Sequence, residues 1–351
     1  METFKYIFQI VESMGTKLKE LVDAKPIELE SLRGKILIVD TFNILYQFLS
    51  SIRQPDGTPL KTSTGAITSH LMGLFNRTTK LMEAGVKLAF VLDGKAPKLK
   101  HMERERRAVN KEEATAKYED AVAREDVGDM KKYAARTSRL TSEMVADARE
   151  LLEALGLPVI QAPCEGEAQA AHLVASGQGY AAVSEDYDSL LFGVPRLVKG
   201  LSITRRKKER DVLNYKKSEI ELIVLADLLN TLKLNQDQLI VLGMLVGTDF
   251  NPGGIPGIGP KKALKLLQLH GTNIGGMFTS VNWAQHFDFP WEDVFNLFKN
   301  MEHAENVQLK WGRPNQKRVR ELLVGRFEFS PEAVDKKLGQ LGTQQSLGDF
   351  F

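Results

Sequence analysis

Four short apolar runs leave this chain few architectures to choose from. They are KILIVD (35–40), KLAFVLD (87–93), LPVIQAP (157–163) and YAAVSED (180–186). Runs this apolar are strands buried on both faces, and helical patterns lie between them. One such pattern is LTSEMVADARELLEALG, in which Leu140, Met144, Ala148, Leu151 and Leu155 share one stripe and Gly156 is the expected stop. Apolar strands alternating with helices predict an α/β fold, a mostly parallel central sheet flanked by helices. In such sheets ligands bind beyond the carboxyl ends of the strands.

Three of the runs end in aspartate: Asp40, Asp93 and Asp186. One alone is adequately explained as a turn former or a helix N-cap. Three at one end of one sheet are harder to dismiss. The stretch SEDYDSLLFG adds Asp188 two residues after Asp186, which on an extended chain puts both carboxylates on one face. Like charges that close repel and raise each other's pKa. Glu165 and Glu167 flank a glycine in APCEGEAQAAHLVASG, where a strand gives way to an Ala-rich helix. Acids in a first helical turn are also favoured by the helix dipole alone. A seventh carboxylate, Asp249, follows the apolar helix QLIVLGMLVG and opens a glycine-rich loop.

Seven carboxylates at element ends, with no supporting histidine motif, point to hard divalent cations, Mg²⁺ or Mn²⁺. Divalent charge makes such repelling pairs favourable. Two ions about 4 Å apart are the usual apparatus for phosphodiester hydrolysis. The single cysteine, Cys164, excludes an internal disulfide and a Cys-cluster metal site, and suits a reducing, intracellular setting. No 18-residue apolar run predicts a membrane span. The opening METFKYIFQIVES lacks the basic n-region and cleavage site of a signal peptide.

Net charge is only +2, so any basic surface must come from clustering. Residues 98–139 are highly charged, poor in large apolar residues and free of proline. They predict a solvated helical hairpin, or a cap that orders on a ligand. RRKKER (205–210) reads as an exposed β-turn or hairpin tip, with a DNA-backbone contact as the lesser reading. NPGGIPGIGPKKALKLLQ (251–268) is a helix-hairpin-helix type of pattern. Gly257 and Gly259 allow close phosphate approach, Pro260 fits the first helical position, and Lys261 and Lys262 add charge. After about residue 325 the chain reads as loosely folded. DKKLGQLGTQQSLGDFF reads as a flexible tail whose final aromatics suit a partner.

Taken together, these motifs resemble the flap endonuclease family of structure-specific 5′ nucleases. The resemblance runs from residue 14 to residue 351. It is carried by IVDTFNILYQFLSSIRQ, TSHLMGLFNRT, FVLDGKAPKLK, APCEGEAQAA, SEDYDSLLFG, LVGTDFNPGGIPGIGPKKAL and QQSLGDFF. The short tail is more like that of archaeal members. The resemblance implies a PIN-like 5′-nuclease core with a helical cap and a helix-hairpin-helix-type DNA-binding region. The implied order is a non-native or disordered extension at 1–13, a nuclease region at 14–106 and the cap or gateway at 107–140. A second nuclease region with the glycine-rich loop covers 141–266. A helical region covers 267–335, and a flexible tail at 336–351 carries a sliding-clamp-binding motif at 344–351.

The resemblance also implies roles. Asp40, Asp93, Glu165 and Glu167 serve mainly one Mg²⁺, and Asp186, Asp188 and Asp249 mainly the other, with Mn²⁺ able to substitute. Lys100 and Arg107 stabilise the scissile phosphate, with Arg106 as the neighbouring alternative. Tyr46 stacks on a base near the cut. Arg53, Thr68 and Arg77 hold upstream duplex. Glu165, Gly247 and Asp249 lie where the chain passes close to DNA. Gln344, Leu347, Phe350 and Phe351 match the peptide that plugs into a PCNA-type sliding clamp. Family members begin at Met-Gly, which here resembles Met14-Gly15. The implied protein is a Mg-dependent endonuclease and 5′-3′ exonuclease, monomeric by itself, intracellular and archaeal-type. It cuts DNA at a 5′ flap to leave a ligatable nick in Okazaki-fragment maturation and repair. A 5′-3′ exonuclease or junction resolvase of the same superfamily, and a non-catalytic clamp-bound adaptor, are the rival readings.

Overall fold

The β-branched run Ile36–Asp40 (β2) lies at the centre of the fold for the reason its composition suggests: both of its faces are covered. The computed structural model describes residues 18–201, 206–208, 215–217 and 219–348. One mixed sheet has the strand order β1-β9-β6-β5-β2-β3-β4. Its strands are Lys25–Ile27 (β1), β2, Lys87–Leu92 (β3), Val159–Gln161 (β4), Ala181–Val183 (β5), Arg196–Lys199 (β6) and Ile220–Val224 (β9). The five from β6 to β4 run parallel, and β9 pairs antiparallel with both β6 and β1. Asp40 sits beside Val91 in the β2–β3 register, so the chain leaves both strands at the same edge.

Strand alternation sorts the core into two halves. Leu37, Val39, Leu88, Phe90, Ala181 and Val183 face one side. There they meet Thr41–Ser51 (α1), Ser69–Glu83 (α2) and Ser142–Ala154 (α5). Ile38, Ala89, Val91 and Ala182 face the other, with Gly166–Ala175 (α6), Asp188–Leu191 (α7) and Gln236–Val246 (α9). In the expected helix α5, Ala148, Leu151 and Leu155 are buried and Gly156 follows at φ +75°.

The charged region forms the expected hairpin of His101–Ala123 (α3) and Val127–Ala134 (α4), turned at Glu125 with φ +54°. Leu225–Leu232 (α8) leads to α9. The capping box of α9 joins Asn235 to Gln238. Beyond the glycine loop lie Pro260–His270 (α10), Ile274–Ser280 (α11) and Trp291–Asn300 (α12), followed by Gln316–Arg320 (α13). Among the described residues no helix is long and apolar enough to cross a membrane.

Two expectations change. The chain from 331 onward is not a loose tail: Pro331–Gly348 (α14) is one helix. Val334, Leu338 and Leu341 recur on a single stripe and are buried, the first two against the α2 and α5 side of the core. Its side chains from 342 on, including Gln344 and Leu347 of the clamp motif, and Phe350 and Phe351, lie outside the described residues, as do Met14, Gly15 and the extension before them. RRKKER contributes Arg206–Lys208 (β7) to a two-stranded antiparallel ribbon with Tyr215–Lys217 (β8), and the residues between them lie outside the described set.

Candidate active site

Strand ends and helix starts bring the acids together. Asp40 is the last residue of β2 and the N-cap of α1, its Oδ1 accepting from the backbone N–H of Asn43 at 3.1 Å. Asp93 follows β3 and accepts from the backbone N–H of Gly166 at 2.7 Å. Glu165 is the N-cap residue of α6, though its side chain makes no capping bond, and Glu167 lies in the first turn. The oxygen Oε1 of Glu167 accepts from the hydroxyls of Ser184 at 3.3 Å and Ser189 at 3.2 Å.

Asp186 and Asp188 reach the site in a way different from the extended chain the spacing suggested. Tyr187 between them is αR, Asp188 opens α7, and its N–H donates to Asp186 Oδ1 at 3.1 Å. The pair is a turn that starts a helix, because Leu190 and Leu191 bury as helix rather than strand. Asp249 lies two residues beyond Gly247, whose φ of +109° suits glycine, and a Cβ there would stand 2.6 Å from the Gly254 nitrogen.

These carboxylates feel one another strongly. Burial pushes Asp40 up to about 8, with repulsion from Asp93 and Asp186 adding to it. Burial, then Glu165, lifts Asp93 to about 6, and burial, then Asp249, lifts Asp186 to about 6. Glu167 is raised by burial and then by Asp186, Asp40 and Asp188. Two cations, Lys100 just before α3 and Arg107 within it, answer part of that charge. Lys100 pairs with Glu165 and stands 3.4 Å from Asp249, and Arg107 Nη2 donates to Asp249 Oδ1 at 2.6 Å. Burial opposes both charges, but these acids outweigh it and hold both pKa values above their ordinary range. Of the neighbouring arginines, Arg107 is the one that meets Asp249, while Arg106 turns back to Glu103.

The site can bind hard cations and stabilise negative charge. Its donors are carboxylate oxygens rather than imidazole or thiolate, which suits Mg²⁺ or Mn²⁺. Mutual repulsion among buried acids is the unmet demand that divalent ions satisfy. Among the described residues no three His, Cys, Asp or Glu side chains stand as a ready-formed metal-binding group. Lys100 and Arg107 instead draw Glu165 and Asp249 toward themselves.

This arrangement has relatives. The XPG N-terminal domain family matches residues 10–114, and the XPG I-region family matches residues 156–249. Flap endonuclease 1 of Hyperthermus butylicus is 46% identical over 335 residues, 93% of this chain and 94% of that protein. Flap endonuclease 1 of Pyrococcus abyssi is 43% identical over 344 residues, covering 96% and 98%. The chain belongs to the flap endonuclease family. The solved flap endonuclease-1 from Methanococcus jannaschii superposes with a TM-score of 0.73 at 36% identity, covering 93% of this chain and 98% of that one. The catalytic core of Rad2 in complex with a DNA substrate gives 0.66 at 26% identity, covering 91% and 96%.

The other positions singled out in this flap endonuclease fall in several places. Tyr46 is half-buried on α1, with the Lys111 ammonium of the cap 5.5 Å above its ring. Arg53 donates to Gly57 O at 2.8 Å and to the Ser138 hydroxyl, which follows the α3–α4 hairpin. Arg77 donates to the Leu201 carbonyl. Thr68 is buried at the start of α2. Gly257, Gly259, Lys261 and Lys262 are all exposed at the start of α10, where Gly259 is the N-cap and Pro260 the first helical residue. Lys262 donates to Gly257 O at 3.3 Å.

Sequence reasoning missed a supporting layer. Asn43 Oδ1 accepts from the Glu185 N–H at 3.1 Å and from Gln47 Nε2 at 2.7 Å, tying α1 to the Asp186 turn. Buried Lys199 donates to the Glu185 carbonyl and lies 3.5 Å from the Tyr187 ring centroid. The one local signal was Ser184, adjacent to the acidic motif.

Proposed function

We propose that this nuclease hydrolyses a phosphodiester at the base of a 5′ single-stranded flap on branched duplex DNA, using two divalent cations. The observation that carries the reading is the oxygen-only acid cluster, buried at Asp40, Glu165 and Asp188 and half-buried elsewhere, at the carboxyl edge of the sheet, with four members held above the ordinary carboxylate range. Asp40, Asp93, Glu165 and Glu167 would hold mainly one ion, and Asp186, Asp188 and Asp249 mainly the other. Mg²⁺ is the natural choice and Mn²⁺ its substitute. What the ions supply when bound is a lowered pKa for the attacking water and charge stabilisation at the leaving oxygen.

The chain's own residues do the rest. Lys100 and Arg107 present N–H donors at the mouth of the cluster, where the scissile phosphate develops charge. An arriving phosphate competes with Glu165 and Asp249 for those donors. Tyr46 offers a ring face to a base beside the cut, which suits any sequence. The start of α10, with Gly257, Gly259, Lys261 and Lys262, grips duplex backbone without reading bases. Glu165, Gly247 and Asp249 line the path of the DNA, and Arg53, Thr68 and Arg77 support the upstream duplex. The cap of α3 and α4 gates the free 5′ end. Specificity comes from junction shape.

Cleavage leaves a 5′-phosphate and a ligatable nick, as Okazaki-fragment maturation and repair require, with 5′-3′ exonuclease activity on the same site. The sequence QQSLGDFF fits a PCNA-type sliding clamp through Gln344, Leu347, Phe350 and Phe351. Single-turnover cleavage of a labelled 5′-flap junction and the matching blunt duplex tests the reading, with Mg²⁺ or EDTA, for wild type and Asp186→Asn. Mg²⁺-dependent cutting at the flap base, lost in the variant, is the expected result. Equal degradation of both substrates from the 5′ end would make the chain chiefly an exonuclease. Junction binding without cutting would favour an adaptor.

A further inference from the structure

Helix α3 is a solvated helix with one anomaly. Its buried residues are Ala114, Ala121 and an acid, Glu103, whose side chain is only 3% exposed. A carboxylate taken out of water is costly unless it is paired and hydrogen-bonded. Glu103 meets that cost with two guanidinium groups from its own helix. Arg106, three residues on, docks in two-point fashion, Nε to Oε2 at 2.7 Å and Nη2 to Oε1 at 2.9 Å. Arg107, four residues on, gives Nε to the same Oε1 at 2.6 Å.

The edge by which Arg107 is held decides where it points. A guanidinium is a planar fork with fixed donor directions. Binding its Nε–H stops rotation about the last side-chain bond and leaves the Nη edge to face outward. That edge reaches Asp249 Oδ1 at 2.6 Å, inside the acid cluster. Arg106, spent on Glu103 by both of its contacts, remains half exposed and turned away. The Glu103 carboxylate also offsets the repulsion between these two like charges on adjacent residues.

We propose that Glu103 is a positioning residue for DNA cleavage. It grips Arg107 by Nε so that Nη2 faces the phosphate site beside Asp249, and it keeps Arg106 out. The inference rests on the reading of Arg107 as the phosphate-facing arginine. It assigns Glu103 no contact with DNA, so its effect belongs in the chemical step and not in junction binding.

The experiment compares Glu103→Ala, Glu103→Gln, Arg106→Ala, Arg107→Ala and the double variant Glu103→Ala with Arg107→Ala. Single-turnover cleavage of the flap junction in Mg²⁺ is measured beside junction binding in EDTA. Glu103→Ala is expected to slow cleavage about tenfold with binding within about twofold of wild type. Glu103→Gln, whose amide oxygen still accepts the Nε–H, recovers most of that rate, and Arg106→Ala costs little. The double variant is no slower than Arg107→Ala alone, because Glu103 acts through Arg107. Glu103→Ala cutting at the wild-type rate while Arg107→Ala is slow would overturn the proposal, as would independent effects that multiply. Glu103→Gln as slow as Glu103→Ala would do the same. Where Glu103→Ala lowers the helical content seen by circular dichroism, the Gln and Arg106→Ala rates decide. A wild-type rate for Arg107→Ala would instead remove the reading of Arg107 on which the inference stands.

Discussion

The backbone N–H of Gly166 donates to Asp93 Oδ1 at 2.7 Å, and a Cβ on residue 166 would stand 2.5 Å from that same oxygen. A glycine between Glu165 and Glu167 thus lets the start of α6 press directly against the acid at the end of β3. Gly166→Ala is expected to push the Asp93 carboxylate aside while α6 stays helical, since alanine is the better helix former. Cleavage should fall by about ten- to a hundredfold, with thermal stability little changed. Wild-type cleavage by Gly166→Ala would show that Asp93 tolerates the displacement.

Divalent ions should stabilise the folded chain as well as activate it. Asp40, held up to about 8 by burial and then by Asp93 and Asp186, marks charge that the protein leaves unmet. Binding to the folded state alone adds about 2.7 kcal/mol at a hundredfold excess over the dissociation constant. Melting curves in Mg²⁺, Mn²⁺ and EDTA read this out. The midpoint should rise with either ion and respond much less in Asp186→Asn. An equal rise in that variant would place the stabilising ion elsewhere.

The parts legible in the sequence were those that depend on near neighbours. Apolar runs exposed four of the five parallel strands, though not Arg196–Lys199, and their ends exposed Asp40 and Asp93. Glu165 and Glu167 were readable as first-turn acids because one strand-to-helix junction contains both. The Asp186–Asp188 spacing was misread because alternation cannot distinguish an extended pair from a turn in which one aspartate accepts from the N–H of the other, which begins the helix. Helix α14 hid behind its glycines and glutamines, although Val334, Leu338 and Leu341 carry a helical stripe. The supporting layer was invisible for a different reason. Asn43 meets Glu185 across 142 residues, a pairing only the fold creates.

His70 gives the fold a specific acid sensitivity. It is fully buried on α2, and neither ring nitrogen has a hydrogen-bond partner among the described residues. Burial pushes its pKa from 6.5 down to about 4. A depressed histidine is neutral in the fold, so its contribution to stability is fully present above pH 6.5. It is lost as pH falls toward 4, because the unfolded chain takes up a proton the folded one refuses. The full loss is on the order of 3 kcal/mol, about 2 of it by pH 5. Urea unfolding of wild type and His70→Leu at pH 7 and pH 5 checks the sign. The leucine variant should lose less stability between the two, and equal losses would assign the acid sensitivity to other groups.

Lys199 supplies the last prediction. It ends β6, is 6% exposed, and brackets Asp186 from both sides in sequence. Its ammonium donates to the Glu185 carbonyl and lies 3.5 Å from the centroid of the Tyr187 ring, while Gly200 N–H donates to Glu185 Oε1 at 2.7 Å. A cation over a desolvated ring is worth about 2 kcal/mol, and the same ammonium ties down the Glu185 carbonyl, so the turn is held on either side of Asp186. Lys199→Met keeps the length of the stem and removes both effects. The concentration of Mg²⁺ needed for half-maximal cleavage should rise by about tenfold as the Asp186 turn loosens, and the melting midpoint at fixed Mn²⁺ should fall. Lys199→Arg should fall between the two, because a guanidinium still stacks on Tyr187 but is bulkier than the buried ammonium it replaces. An unchanged metal midpoint in Lys199→Met, with cleavage lost, would mean that the Asp186 turn holds its shape without Lys199.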